Sequence, residues 1–354
     1  MSAPAGPRIG IDALALTVGG GLTWLRGLVP ALVEVWPEAT LDVLVRSKGP
    51  LPIEGGPRVR LVRLPAPRGA ARMGAEWVAV PAWAAAAKPS ALLVASDAGP
   101  VASPCPMVQV VQNAKVYTER GARYRMLREA ARATARAAAA TVFVSEAVRA
   151  VAEPVLKPRR GVVLRHGISD PPVGPFARPI AEPYVLVVAT PYAHKDLGTA
   201  LEAVLRLRAN GRPEILVLAG GGGDPRVIAD LRTRAARDRG ALRLLGAVEP
   251  RDLEAWYAHA AALMLPSREE SYGLPVAEAL ARGIPAVASD IPALVETGAG
   301  LALHHPVGDA GAAAAALKRA VSGTALAVES ASTYAASRTW QEAARRYREV
   351  LSGL

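Results

Sequence analysis

Short apolar runs separated by helix-like stretches recur along this chain, and they leave it few architectures. RIGIDAL (Arg8 to Leu14), LDVLVR (Leu41 to Arg46), VRLVRL (Val59 to Leu64), ALLVAS (Ala91 to Ser96), MVQVVQ (Met107 to Gln112), TVFVS (Thr141 to Ser145) and GVVLRHG (Gly161 to Gly167) read as strands. YVLVVAT (Tyr184 to Thr190), EILVLAG (Glu214 to Gly220), LRLLG (Leu242 to Gly246), ALMLP (Ala262 to Pro266) and PAVASD (Pro285 to Asp290) repeat the pattern. Strands this continuously apolar are buried on both faces, as in parallel sheets covered by helices. Between the two sets lies SDPPVGPFARPIAEP, Ser169 to Pro183, whose prolines mark a linker. The predicted fold class is therefore α/β, with an N-terminal domain over 1–175 and a C-terminal domain over 176–336. Two such domains leave a cleft, and open parallel sheets bind ligands at the carboxyl ends of their strands.

At 354 residues and 51% hydrophobic content the chain can fill two cores. The longest apolar run, WVAVPAWAAAA (Trp77 to Ala87), contains a proline and is shorter than the roughly 18 residues of a membrane span. The N-terminus, MSAPAGPRIGID, lacks the basic start and apolar core of a signal peptide, so a cytoplasmic location is expected. Cys105 is the only cysteine, which excludes an internal disulfide and a cysteine-cluster metal site. His304 and His305, in LALHHPVGD, read as loop residues with a surface role. There is no GxxxxGK[ST], no HExxH and no Asp-x-Asp, and neither a metal nor a cofactor is expected.

The net charge of +11 is lopsided. Residues 1–178 hold 23 Lys and Arg against 12 Asp and Glu, whereas residues 179–354 hold 19 of each. Part of the excess lies in ERGARYRMLREAARATARAAAA, where Arg125, Arg128, Arg132 and Arg136 recur at helical spacing and share one face. Such a stripe attracts an anionic membrane surface, a phosphorylated acceptor or nucleic acid; the plainer reading is that arginine solvates an alanine-rich surface. Aromatic residues are only 5% of the chain and few lie among the arginines, which leaves little for base stacking and argues against a nucleic-acid binder.

EESYGLPVAEAL, Glu269 to Leu280, raises a sharper question. ALMLP reads as a strand and PVAEALARG as a helix with Pro275 in its first turn, so Glu270 falls in the connecting loop and Glu278 in the first turn of the helix. A helix N-terminus attracts an anion such as phosphate, and ionised carboxylates accept hydrogen bonds from hydroxyl groups. Together they suit a ligand that is anionic at one end and rich in hydroxyls at the other, as a nucleotide sugar is. Acids near helix starts are also ordinary capping devices, and spacing alone does not separate the two readings. AGGGGDP (Ala219 to Pro225) and VGGGLTWLRGLVPAL (Val18 to Leu32) add glycine-rich strand-to-helix turns. Neither is a GxGxxG turn, which with the missing acid some 20 residues on disfavours a nicotinamide oxidoreductase.

Read in order, YVLVVATPYAHKDLGTALEAV, EILVLAGGGG and LRLLGAVEPRDLEAWYAHAAALMLPSREESYGLPVAEALARGIPAVASDIPALVETGAGLALHHPVGD resemble the retaining glycosyltransferases of family 4, the glycosyltransferase group 1 family with the GT-B fold. A looser likeness covers Gly19 to Gly21, VQN at Val111 to Asn113, TVFVSEAVRA and VVLRHGISD, and RTWQEAARRYREVL resembles the family's last helix. The resemblance implies two Rossmann-like domains with parallel sheets facing each other across a cleft, the first for the acceptor, the second for the nucleotide-sugar donor, and a segment 337–354 whose helix crosses back to the first. It implies that Glu278 bonds the ribose, that Glu270 faces the donor sugar, and that backbone around Ser271, Tyr272, Gly273 and Leu274 holds sugar and diphosphate. Lys195, in HKDL, resembles the lysine that grips the diphosphate; Gly221 and Val248 fall at the nucleotide, and Gly20 and Gly21 reach the donor from the first domain. Where the family often has an arginine shortly before that lysine, this chain has Thr190-Pro191-Tyr192. Gln112 and Asn113 stand where many members have a histidine, and with Arg125 and Arg128 they are the acceptor-side candidates. The implied activity is metal-independent transfer, with retention at the sugar carbon, to a glycan, lipid-linked or small-molecule acceptor. The basic first half offers contact with the inner face of a membrane.

Overall fold

The computed structural model describes residues 6–16, 19–49, 51–67, 70–169, 174–323 and 328–354; Val18 of the predicted glycine turn and residues 170–173 of the predicted linker lie outside them. Two compact units form, Met1–Gly167 with Arg338–Leu354, and Ile168–Ser337. The division falls ahead of the 175/176 boundary read from the prolines, because Ile168 and Ile180 are already buried in the second unit's core.

The first unit holds β1 (Arg8–Asp12), β2 (Thr40–Arg46), β3 (Val59–Leu64), β4 (Ala91–Val94), β5 (Met107–Val111), β6 (Ala140–Phe143) and β7 (Gly161–Val163). All pair in parallel in the order β3-β2-β1-β4-β5-β6-β7. The second unit holds β8 (Tyr184–Val188), β9 (Ile215–Ala219), β10 (Leu242–Gly246), β11 (Ala262–Leu265), β12 (Ala286–Ser289) and β13 (Leu303–His305), parallel in the order β10-β9-β8-β11-β12-β13. Each run read above as a strand contains one, whereas WVAVPAWAAAA lies in the helix Ala70–Ala87. The correction is β13: LHH was read as loop, but it pairs with β12 and buries His305 at 1% exposure. A three-residue edge strand needs neighbours on one side only and carries no apolar run to announce it.

Alternation along β1 sets the layers. Ile9 and Ile11 are sealed against Trp24, Leu25 and Leu28 of the helix Gly20–Val35, each such side chain contributing roughly 1.5–3 kcal/mol on burial. On the other face Gly10 lies under the Trp83 ring of the helix Ala70–Ala87. The closing helix Trp340–Ser352, begun by Thr339 accepting the Glu342 N–H, belongs to this unit: Tyr347 meets Trp24 edge-on at 5.9 Å and accepts its indole N–H at 3.2 Å.

The arginine stripe is only half what its spacing suggested. On the helix Ala122–Ala137, Arg128 donates to the carbonyls of Val116 and Glu119 at 3.0 and 2.7 Å, closing the short helix Lys115–Thr118. Arg132 donates to Val155 O at 2.8 Å, in the last turn of the helix Glu146–Leu156. Both serve unfilled helix-end carbonyls; Arg125 and Arg136 remain exposed. Among the described residues no helix is long and apolar enough to cross a membrane.

Candidate active site

In each sheet the strand order reverses once, between β8 and β11 in the second unit and between β1 and β4 in the first. Loops leaving the carboxyl ends of such neighbours diverge and open a crevice. Lys195 lies on the turn Ala193–Lys195 after β8, and Glu270 on the loop after β11, so the second unit's reversal brings together two residues 75 apart in sequence. Lys195 Nζ stands 2.6 Å from Glu270 Oε1, and the Ser267 hydroxyl donates to that same oxygen at 2.8 Å. The two charged side chains are 19% and 13% exposed. A ligand entering here meets an ion pair, where separate contacts to diphosphate and sugar were expected.

Sequence reasoning missed a second cation. Arg268 Nη2 lies 2.9 Å from Asp196 Oδ2, next to Lys195, and its backbone N–H donates to His194 O at 2.8 Å. It stands on the loop after β11, next to the loop that carries Thr190-Pro191-Tyr192, and is itself matched by Asp196. Only strand adjacency reveals it.

Gly273 closes the loop with φ 97°, the left-handed region that favours glycine, and a Cβ there would press on the Leu294 side chain. The helix Leu274–Ala281 therefore starts one residue ahead of Pro275, and Glu278 is its fifth residue, about 6 Å along the axis. That places it past the first turn in which it was predicted. The half-buried Glu278 accepts the Tyr257 hydroxyl at 2.7 Å. Arg282 caps the Glu278 carbonyl at 2.9 Å, lies 4.9 Å from the Tyr257 ring centre, and holds Glu254 with two bonds of 2.7 and 2.9 Å. Burial pushes the Glu278 pKa up, while the Tyr257 hydroxyl and Arg282 pull it back. Tyr272 is buried, its carbonyl taking the Thr297 hydroxyl at 2.6 Å, and Ser271 is half-buried beside it.

The glycine turn after β9 closes on the loop after β8. A Cβ on Gly220 would lie 2.0 Å from Ala189 O, and one on Gly223, at φ 86°, 2.5 Å from Pro191 O. Gly221 abuts Ala247 in the same way, and Val248 packs on the second unit's core. The site's walls are thus the loops after β8, β9, β10 and β11.

In the first unit, Gly20 and Gly21 open the helix Gly20–Val35 after β1. The Gln112 carbonyl oxygen lies 3.7 Å from where a Gly21 Cβ would sit, so Gln112 and the glycine turn share the carboxyl edge. Asn113 accepts the Lys115 N–H at 3.2 Å and starts a helix. Asp12, ending β1, is sealed with Glu76 and Arg72 of the helix Ala70–Ala87, and burial pushes the pKa of both acids up. Asp97, after β4, was not singled out. It accepts the Tyr117 hydroxyl at 3.2 Å, and burial drives its pKa up to about 7 although Tyr117 and the backbone N–H groups of Asn113 and Gln112 oppose the rise. The signal was available: ALLVASD ends an apolar strand with an acid at the point where the sheet reverses.

Residues 182–322, which contain every donor-side residue predicted in the second domain, match the family described as Glycosyl transferases group 1. The second unit is a group 1 glycosyltransferase domain. O-antigen chain mannosyltransferase B of Escherichia coli is 33% identical to this chain over 130 residues, 36% of this chain and 32% of that protein. The match spans about a third of that relative's length. Over the whole chain the fold is GT-B. Sucrose-phosphate synthase from Thermosynechococcus elongatus superposes with a TM-score of 0.80 at 20% identity, covering 98% of this chain and 100% of that one. Anabaena HepE, crystallised with UDP and glucose, superposes with a TM-score of 0.76 at 14% identity, covering 98% and 100%.

Proposed function

We propose that the protein transfers a sugar from a nucleotide-sugar donor, held by the second unit, to a hydroxyl of an acceptor bound by the first. The observation that carries this reading is the Lys195–Glu270 pair at the β8/β11 reversal, beside the helix that starts at Leu274. Lys195, Arg268 and the helix terminus supply positive charge for a departing diphosphate, so no metal ion is required of the mechanism. Glu270 accepts from the donor sugar's hydroxyls, Glu278 from the ribose, and backbone near Gly221, Val248 and Gly273 takes the nucleotide and phosphates. Both carboxylates are already engaged, by Lys195 and Ser267 or by Tyr257, which suits holders of hydroxyls better than a covalent nucleophile. Transfer then proceeds with retention and without a glycosyl-enzyme intermediate.

Incubation with a panel of nucleotide sugars, followed by mass spectrometry of slow donor hydrolysis, tests the reading. One donor should be hydrolysed, equally with and without EDTA, and its nucleoside diphosphate should raise the melting temperature where NAD(P) does not. Hydrolysis of none, with no stabilisation by UDP, GDP, ADP or TDP, would end it.

Asp97 is the group proposed to take the acceptor's proton. An acid pushed up to about 7 is protonated below that pH and becomes a base above it, so turnover should climb through neutrality. Asp97→Asn should flatten that limb and slow transfer about 10²-fold while leaving nucleoside diphosphate affinity unchanged. A full climb retained in the variant would remove Asp97 from this role.

A further inference from the structure

Beside the helix Gly20–Val35 the first unit carries an open groove of about 810 Å³, lined by Val29, Pro30 and Val33 of that helix and by Leu51, Pro52 and Ile53 from the β2–β3 connection. Leu51 is 42% exposed and presents its side chain to the groove. A recess of about 100 Å³ continues the groove towards the carboxyl ends of β1 and β2; Arg26, Leu51 and Pro52 line both parts. The recess adds Leu16, Leu22 and Arg46 and has no acid in its lining, whereas Glu54 lines only the wide part. Arg26 Nε donates to Pro52 O at 2.9 Å, which fixes that guanidinium at the junction. Arg46, the last residue of β2, has no carboxylate partner among the described residues. Leu22 lies one residue past Gly21, so the charged end opens beside the glycine turn.

An apolar trough ending at two arginines complements a molecule with a hydrocarbon tail and an anionic head, since planar guanidinium groups take phosphate oxygens in pairs. We infer that this groove holds the acceptor, a glycolipid phosphate whose chain lies along Val33, Leu51 and Ile53, whose phosphate sits between Arg26 and Arg46, and whose sugar carries the accepting hydroxyl. The acceptor role rests on the glycosyltransferase reading; the binding does not.

Calorimetric titration of the full chain with farnesyl phosphate below its micellar concentration, beside farnesol and inorganic phosphate, tests the inference. Farnesyl phosphate should bind about tenfold or more tighter than either fragment. Arg46→Ala should reduce it to the affinity of farnesol, and Leu51→Asp or Val33→Asp should weaken it at least as much. Unchanged binding of the stabilising nucleoside diphosphate, screened from UDP, GDP, ADP and TDP, shows that each variant is folded; a circular dichroism melt does so if no nucleotide binds. Farnesyl phosphate affinity no better than that of inorganic phosphate, or unmoved by Arg46→Ala and Leu51→Asp, overturns the proposal. So does equal sensitivity of binding to phosphatidylglycerol vesicles without farnesyl phosphate, which would make the groove a general membrane contact. Tight farnesyl phosphate binding without any nucleoside diphosphate binding keeps the groove and removes the transferase reading.

Discussion

Lys195→Ala should slow sugar transfer about 10²–10³-fold and weaken nucleoside diphosphate binding about tenfold. A helix terminus alone contributes at most about 2 kcal/mol to a nearby anion, so most of the stabilisation of a departing diphosphate must come from side-chain cations in a partly dry site. Lys195 is such a cation, and its charge is matched by Glu270 at 2.6 Å. The ion pair therefore gives two substitutions of opposite sign. Glu270→Gln removes the competitor and should tighten diphosphate binding while slowing turnover, because the sugar loses its acceptor. Lys195→Arg keeps the charge, yet its wider planar fork should restore binding better than rate. Equilibrium binding of the diphosphate, with turnover measured separately, resolves the pattern. Equal loss of binding in Lys195→Ala and Glu270→Gln would show that the pair acts only as a structural strut.

The layers of this fold were legible because parallel strands buried on both faces leave continuous apolar runs, as VLVV and ILVL do at 185–188 and 215–218. The edge strand β13 was not, since pairing on one side asks nothing of LHH that a loop would not also satisfy. Prolines located the linker but not the boundary: burial of Ile168 decides that, and burial is a property of the partners it meets.

The site divides along the same line. Glu270, Gly273 and Glu278 sit together in sequence and could be read as a unit. That Lys195 faces Glu270 follows only from β8 lying next to β11, a pairing between strands separated by β9 and β10. Arg268 and Tyr257 were missed for this reason, each meeting its partner, Asp196 or Glu278, only through strands that pair out of sequence order. The bonds of Arg128 were illegible for the converse reason: helical spacing places it on a face but does not say which carbonyls wait opposite.

Glu278 offers the clearest separation of ligand binding from folding. Its Oε2 accepts the buried Tyr257 hydroxyl, and Tyr257 in turn lies under Arg282, whose charge is matched by Glu254. Glu278→Ala leaves that hydroxyl without its carboxylate, a loss of about 1–3 kcal/mol. At about 2–4 °C per kcal/mol for a domain of this size, the second unit should melt a few degrees lower. Glu278→Gln keeps a carbonyl oxygen for Tyr257 and should melt close to the parent. Both variants lack the anionic acceptor proposed for the ribose, and both should bind nucleoside diphosphate about tenfold or more weakly. The 2′,3′-dideoxy form of that nucleotide closes the cycle, because it removes the hydroxyls instead of their acceptor. If Glu278 holds the ribose, the parent should lose as much affinity for the dideoxy nucleotide as Glu278→Gln loses for the natural one, and the variant should hardly tell the two apart. Additive losses would mean that the ribose is held elsewhere and that this glutamate serves Tyr257 alone.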